Sequence, residues 1–232
     1  MMRRRAPQVL LSLLLVAGVA ACGTSEAAPT TARWSAPVSA APTTTPPPRP
    51  APRSADEVSR QTRIALLDLS KFRPETVSHT KENTEGWYLR APCRRELPSD
   101  RHSIGQRERR WETSPVWIRQ HVVGYQKVTG RKLVDELRAT MRGCRSYRMS
   151  NGETSTLVPW APAGAPKNPD VVTFCERHTT DTGTYHQCTV TMARGYYVME
   201  VDASDGDGDL AKSKAMLTKL YPSLTAALVK AA

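Results

Sequence analysis

Apolar residues recur at helical spacing in three segments of the chain. The first segment follows the capping box Ser54-Ala55-Asp56-Glu57 and predicts a helix that ends at about Lys71. The second segment predicts a helix over 129–142. The third predicts a helix that begins near Asp209 and is divided by Pro222, because proline lacks the N–H that a helix interior needs.

Four other segments alternate apolar and polar residues or are rich in β-branched and aromatic residues. They predict strands over 117–126, 170–177, 184–192 and 196–202. The gaps between the last three strands, at 180–183 and 193–195, have the length of hairpin turns. Helices on either side of a run of adjacent strands predict an α+β domain, with an antiparallel sheet flanked by helices.

The first 22 residues have the order of a bacterial lipoprotein signal. Three arginines at 3–5 precede an apolar run over 9–21, which predicts a signal peptide over 1–21. A run of this length covers roughly 20 Å as a helix and is too short for a bilayer core about 30 Å thick. Val19-Ala20-Ala21-Cys22 resembles a lipobox, whose cysteine receives a diacylglycerol and a fatty acid such as palmitate. The alternative is a chance cysteine in an ordinary signal.

The segment 22–53 predicts a lipidated cysteine followed by a disordered linker rich in Pro, Thr and Ala. An extended linker of this length reaches up to about 90 Å. Residues 54–232 have the length of one domain. The chain is therefore predicted to be held at the outer face of the cell membrane by a lipid, with its domain lifted into the cell wall.

The formal net charge of +11 is concentrated at the N-terminal end. Residues 54–232 contain 27 basic and 21 acidic residues, a surplus of +6. This surplus favours an anionic small molecule or wall polymer as a partner, and nucleic acid is a poor candidate outside the membrane. The sequence gives no oligomeric state.

Four cysteines follow the lipobox cysteine, and an even number in an exported chain predicts two disulfides. Three pairings are possible. A hairpin that turns at 181–182 places Cys175 directly opposite Cys188, and Cys93 then pairs with Cys144. Each bond is expected to stabilise the domain by roughly 2–4 kcal/mol.

Two alternative metal sites are weaker. A zinc site would use Cys175, His178, His186 and Cys188, but in this hairpin His178 points to the opposite face from the other three. The acidic run Asp205-Gly-Asp-Gly-Asp209 fails the EF-hand pattern, since its sixth position is not glycine and its twelfth is not glutamate. We therefore predict no metal and no cofactor.

A lipobox, a Pro/Thr-rich linker and a domain with spaced cysteine pairs, the last in a hairpin before a C-terminal helix, together resemble the PknH-like extracellular sensor domain family of actinobacteria. The resemblance covers about 75–232. It implies an α+β fold with a cleft, disulfides Cys93–Cys144 and Cys175–Cys188, and a sensing or ligand-binding role without catalysis. Family members occur as the outer part of receptor kinases and as separate lipoproteins.

The segment 90–119 is the most unusual in composition, with eight arginines and four acidic residues. Arginine forks bind phosphate or carboxylate in pairs of hydrogen bonds, and tryptophan faces stack on sugars or cations. This pattern predicts an anion-binding rim formed by Arg101, His102, Arg107, Arg109, Arg110 and Trp111. The alternative is a solvated loop whose arginines pair with its own glutamates.

No catalytic signature is present among the common motifs G-x-S-x-G, H-E-x-x-H and the P-loop. We therefore predict a surface lipoprotein with a non-catalytic, ligand-binding or sensor-like domain and no assigned catalytic residue. Two alternatives stay open. The first is a cell-envelope hydrolase with an unrecognised site, and the second is a module that docks on a membrane partner.

Overall fold

The structure is a computed structural model that describes residues 47, 50–52, 54–73, 76–84, 88–114, 116–163, 165 and 167–232. The predicted signal peptide, Cys22 and nearly all of the predicted linker lie outside these residues. Within the described residues, no helix is both long enough and apolar enough to cross a membrane.

Eight strands form one antiparallel sheet in the described part of the chain, in the order β1-β2-β3-β8-β7-β6-β5-β4. The strands are β1 (Val77–Asn83), β2 (Ser103–Thr113), β3 (Val116–Tyr125), β4 (Ser146–Arg148), β5 (Thr154–Val158), β6 (Val171–Thr180), β7 (Gly183–Arg194) and β8 (Tyr197–Asp205). The helices are α1 (Ala55–Ala65), α2 (Gly130–Arg142) and α3 (Leu210–Ala231). The predicted α+β class, with an antiparallel sheet flanked by helices, is confirmed.

The two faces of the sheet differ in what covers them. On one face, α1 and α3 bury a continuous apolar core that includes Trp111, Ile118, Val190, Met199 and Val201. We call this the apolar face. On the opposite face, α2 packs on a smaller apolar cluster, and charged side chains occupy much of the remaining surface. We call this the polar face.

The first helix ends earlier than its sequence pattern predicts. Its N-terminus is as predicted, with the Ser54 hydroxyl accepting a hydrogen bond from the Glu57 N–H at 3.2 Å. Its C-terminus is set by the buried amide of Gln120, which donates to the Ala65 carbonyl at 2.7 Å and accepts from the Leu67 N–H at 2.9 Å. Because a side chain from β3 satisfies these backbone groups, the helix stops at Ala65.

The third helix continues through Pro222, so the predicted division at this residue is wrong. Pro222 and Thr218, whose carbonyl loses its helical donor, are both exposed. Water can therefore satisfy the Thr218 carbonyl. On the other side of the helix, Leu217, Leu220 and Leu224 remain buried across the interruption, and this packing holds the helix in one piece.

Both predicted disulfides are present. Cys175 and Cys188 face each other across β6 and β7, in the register predicted from the turn position. Cys93 and Cys144 join the segment before β2 to the end of α2. The pairing of Cys175 with Cys188 leaves neither sulfur for the alternative zinc site, and no metal-binding cluster of His, Cys, Asp and Glu occurs among the residues described.

The arginine-rich segment is largely a strand. β2 lies second from one edge of the sheet, between β1 and β3. The sequence of β2 shows no alternation of apolar and polar residues, because charged residues occupy both faces of the strand. Arg107 and Arg109 lie on the apolar face, and Glu108 and Arg110 lie on the polar face. The alternation of side chains along this strand thus places Arg107 and Arg109 on the opposite face of the sheet from Arg110.

Candidate functional site

A segment that precedes β2, residues 88–102, lies on the polar face and is fixed there by buried carboxylates. Asp100 accepts hydrogen bonds from the Leu89 N–H at 2.9 Å and from the Tyr125 hydroxyl at 2.6 Å. Glu136 of α2 accepts from the Ser99 N–H at 3.0 Å and from its hydroxyl at 2.6 Å. With the Cys93–Cys144 disulfide, these bonds hold the segment against α2.

Between this segment and β4 and β6 lies a cleft of about 890 Å³, within the range of small-molecule sites. We call it the main cleft. Its rim carries the exposed side chains Tyr88, Arg90, Arg95, Glu96 and Arg101. Its inner wall includes Tyr147, Glu176 and His178.

The inner wall is a polar cluster around the buried carboxyl group of Glu176. This group accepts hydrogen bonds from the Tyr147 hydroxyl at 2.7 Å and from the Ser155 hydroxyl at 3.3 Å. Burial raises the pKa of Glu176, although both hydroxyls and Arg90 act to lower it. The cluster therefore offers a ligand a carboxyl group whose protonation responds to what binds beside it.

His178 forms the other part of the inner wall. It is 3 % exposed and stacks on the Tyr185 ring at 4.6 Å between centroids. Neither of its ring nitrogens has a hydrogen-bond partner among the described residues, and its Nε2 lies 3.9 Å from the nearer Glu176 oxygen. Burial, together with Arg90, lowers the pKa of His178, so the ring is neutral and can both donate and accept.

Beside the main cleft, one arginine holds three acidic side chains together. Arg119 pairs with Glu200 at 2.9 Å, pairs with Asp202 and lies 3.8 Å from Glu108. Burial and the charge of Asp202 raise the pKa of Glu200 to about 8. Burial acts to raise the pKa of Asp202 as well, but Arg119 and the Thr189 hydrogen bond lower it overall. The pair therefore divides into a protonated Glu200 and an ionised Asp202 near neutral pH.

A second, smaller pocket of about 390 Å³ lies above this cluster. Its lining includes Trp117, Arg110, Gln187 and Ser204. Arg90 lines both this pocket and the main cleft. The Arg90 N–H donates to Glu200 at 2.9 Å, whereas no ion pair joins its side chain to any described residue. Arg90 is thus an exposed cation at the junction of two pockets.

The structure separates the six residues of the predicted anion-binding rim. Arg107 and Arg109 both pair with Glu82 of β1 on the apolar face, Arg109 at 2.7 Å. The Trp111 side chain is fully buried beside Phe72, at 4.8 Å between ring centroids. These three side chains therefore do not share a surface with the cleft.

The other three predicted rim residues lie near the polar face. Arg101 is exposed at the rim of the main cleft, and Arg110 lines the smaller pocket, where it pairs with Glu108 at 2.6 Å. His102 is half-buried and follows Arg101 in a short 3-10 turn. Of the six predicted residues, Arg101 and Arg110 thus present their side chains to the pockets of this face, and Trp111 also lines the smaller pocket although its indole is buried on the apolar face.

Several residues of the pockets were missed by the sequence analysis. Glu176, Glu200 and Asp202 lie in predicted strands, and His178 directly follows the predicted strand 170–177. Ionisable residues at core positions of apolar strands are themselves a signal of a buried polar site. Arg90 carries no such signal, because its role depends on where the 88–102 segment folds back.

No protein-family model matches the chain, and no curated protein matches it. Among solved structures, the chain is similar to the extracellular domain of PknH from Mycobacterium tuberculosis, with 12% identity and a TM-score of 0.48 over 75% of this chain and 98% of that one. It is also similar to an uncharacterised protein from Mycobacterium smegmatis, with 12% identity and a TM-score of 0.39 over 76% and 97% of the chains. PknH gives its name to the family that the cysteine spacing and element order resemble.

Proposed function

We propose that this chain is a lipid-anchored, extracytoplasmic protein whose domain binds an anionic ligand in the main cleft and has no catalysis of its own. The proposal combines the lipobox around Cys22 and the linker with the disulfide-bonded domain. Disulfides form in oxidising compartments outside the cytoplasm, which agrees with export.

The unpaired side chain of Arg90 is the observation that carries the ligand class. Four other arginines of the segment 90–119 already pair with carboxylates. Arg107 and Arg109 pair with Glu82, Arg110 pairs with Glu108, and Arg119 pairs with Glu200 and Asp202. Arg90 is exposed at the cleft and forms no salt bridge with any described residue, although its charge acts to lower the pKa of the buried Glu176, Glu200 and Asp202. A carboxylate or phosphate is the group that a guanidinium fork binds best.

The remaining charges of the cleft support the same class. Arg95 and Arg101 add two exposed cations to the rim, against one exposed acid, Glu96. Asp100 is engaged with Tyr125 and Leu89, and its burial raises its pKa in spite of those bonds. The accessible part of the cleft is therefore positive, while its buried wall supplies hydroxyl, imidazole and carboxyl groups for hydrogen bonding.

The hydrolase alternative has less support at this site. Ser155 and His178 lie opposite each other in neighbouring strands, but the Ser155 hydroxyl donates to Glu176 and His178 has no hydrogen-bond partner in the part described. Nucleophilic catalysis needs a base that accepts the proton of the nucleophile. The cluster is better suited to holding a ligand.

The proposal is tested by titrating the exported protein with small anions, citrate and inorganic phosphate among them, by calorimetry. We expect Arg90→Ala to weaken anion binding by about tenfold or more, and Arg101→Ala to weaken it less. Arg131→Ala is the matched control, since Arg131 is partly exposed but pairs with Asp135 and Asp170 at the far end of α2. Equal loss in Arg90→Ala and Arg131→Ala would refute the assignment of the cleft.

A further inference from the structure

Trp117 is an exposed tryptophan in the interior of the sheet. It is 63 % exposed, although β3 lies between β2 and β8 and its neighbours along the same strand, Val116 and Ile118, are buried on the apolar face. Its indole is thus presented on the polar face by a rigid strand. A large flat apolar group held in this way offers one face for stacking.

The side chains around Trp117 are polar and lie in one row across the sheet. The register places Glu112 of β2 on one side of Trp117 and Ser204 of β8 on the other, with Gln187 of β7 beyond Ser204. The carboxylate, hydroxyl and amide groups of these neighbours provide several hydrogen-bond donors and acceptors beside the indole. The smaller pocket therefore combines an aromatic platform with a border of hydrogen-bonding groups.

This combination matches the two surfaces of a pyranose ring. The C–H groups of a pyranose form an apolar face that packs on an indole, and its hydroxyl groups project from the edge, where they need polar partners. A purely apolar ligand would make no use of the polar border, and a small inorganic anion would leave the indole uncovered. The pocket chemistry therefore selects a sugar ring.

The smaller pocket and the main cleft share Arg90. Arg110 and Arg119, the other arginines of the smaller pocket, are paired with Glu108, Glu200 and Asp202. A ligand that stacks on Trp117 and carries an acidic group thus meets its counter-charge at Arg90. An extended ligand can continue from there into the main cleft.

We propose that the ligand is an acidic glycan, with one sugar ring stacked on Trp117 in the smaller pocket and its carboxylate or phosphate bound by Arg90. This inference rests on the proposed function, because it uses the same anion-binding residue. It adds the class of ligand and a second subsite.

The experiment uses the exported protein and a panel of oligosaccharides in matched pairs. Uronate-containing oligosaccharides are compared with their methyl esters, and sugar-phosphate oligosaccharides with their dephosphorylated forms. Affinity is measured by calorimetry, and tryptophan emission is recorded in the same titrations. The variants are Trp117→Ala, Trp117→Phe and Arg90→Ala, with Ile64→Ala as a control, since Ile64 is another exposed hydrophobic residue (49 % exposed) and lies on α1.

We expect at least one acidic oligosaccharide to bind about tenfold more tightly than its neutral partner and to change the tryptophan emission. Trp117→Ala should weaken that binding roughly three- to tenfold, Trp117→Phe should weaken it less, and Ile64→Ala should leave it unchanged. Trp117→Phe should also remove most of the emission change. The pairs that respond identify the acidic group as uronate or phosphate.

Three results would overturn the glycan assignment and leave the proposed function standing: Trp117→Ala binding every acidic oligosaccharide as the wild type does, neutral partners binding as tightly as acidic ones, or the whole panel failing while citrate or phosphate still binds through Arg90. If Arg90→Ala has no effect on any anion, the proposed function itself fails. The two failures are therefore distinguishable.

Discussion

The two faces of the sheet use the same residue types for different purposes. Trp111 on the apolar face is fully buried against Phe72, whereas Trp117 on the polar face, six residues later, is 63 % exposed. On the apolar face, Arg107 and Arg109 pair with one partly exposed carboxylate, Glu82. On the polar face, one arginine holds several buried acids.

This difference indicates where stability and function reside. The apolar side chains buried under α1 and α3 need no hydrogen-bond or ion-pair partners, and their burial supplies most of the free energy of folding. A buried acidic cluster supplies little net stability, because removing charges from water offsets most of the attraction between them. Its presence beside two pockets is therefore not explained by stability and is consistent with the binding site proposed above.

The largest effect is expected on the apolar face. Trp111→Ala should lower the free energy of unfolding by about 3–5 kcal/mol, because it removes a fully buried indole and leaves a cavity. Chemical denaturation measures the change. If Trp111→Ala instead reduced ligand affinity in a protein of normal stability, the division between the faces would be wrong.

On the polar face, Arg119→Ala should cost about 3 kcal/mol, because the ionised Asp202 would stay buried without its cation. Arg109→Ala is the matched control, and we expect it to cost about 1 kcal/mol or less, since its partner Glu82 is one-third exposed. Denaturation of both variants at pH 7 gives the comparison. Equal costs would mean that the acidic cluster is no more sensitive than a surface pair.

The polar face should also give the domain a pH dependence. The pKa of Glu200 is raised to about 8 in the folded state from 4.5, so its contribution to stability is present below pH 4.5 and is lost as the pH rises to about 8. His121 acts in the opposite direction at lower pH, because burial and Arg119 lower its pKa from 6.5 to about 4. Between pH 6.5 and 8, the change of stability with pH therefore reports on Glu200 and not on His121.

Glu200→Gln keeps an acceptor for the Arg90 N–H and removes the titration. We expect the variant to lose the decline in stability between pH 6.5 and 8 and to gain on the order of 1 kcal/mol at pH 8. Glu112→Gln, an exposed change on the same face, serves as the control. Thermal unfolding at several pH values tests this, and an unchanged pH profile in Glu200→Gln would contradict it.

The smallest effect on stability is expected at Trp117. Trp117→Ala should change the free energy of unfolding by no more than about 0.5 kcal/mol, since most of the indole is already in water. The same denaturation experiment as for Trp111→Ala measures it. A large loss would show that Trp117 is part of the core and would remove the main contrast between the two tryptophans.

The three helical segments and four of the eight strands follow from local patterns in the sequence, whereas β1, β2, β4 and β5 were not predicted. The strands β3, β6, β7 and β8 were predicted to within a few residues, because alternation and β-branched residues mark them directly. The same turn position that predicts the β6–β7 hairpin also sets the register that joins Cys175 to Cys188. The ends of α2 lie within one residue of the predicted ones, and the starts of α1 and α3, capped by Ser54 and Asp209, agree with N-capping rules.

The strand β2 was missed for a physical reason. Its buried Arg107 is compatible with the core only because Glu82 of β1 lies beside it, and a pairing between distant strands leaves no periodic signal in either one. The early end of α1 has a similar origin, since Gln120 supplies its cap from 55 positions away. Both features depend on contacts that form only in the folded sheet.

The sequence by itself determined the three helical segments, four of the strands, the two disulfides and the prediction of a lipid-anchored export signal, since each rests on residues that are close in the chain or restricted by one hairpin. Only the tertiary structure decided which arginines are paired with carboxylates and which, Arg90 among them, are left facing a cleft. The reason is that charge neutralisation depends on distance in space, and a sheet brings together carboxylates and guanidinium groups from strands far apart in sequence.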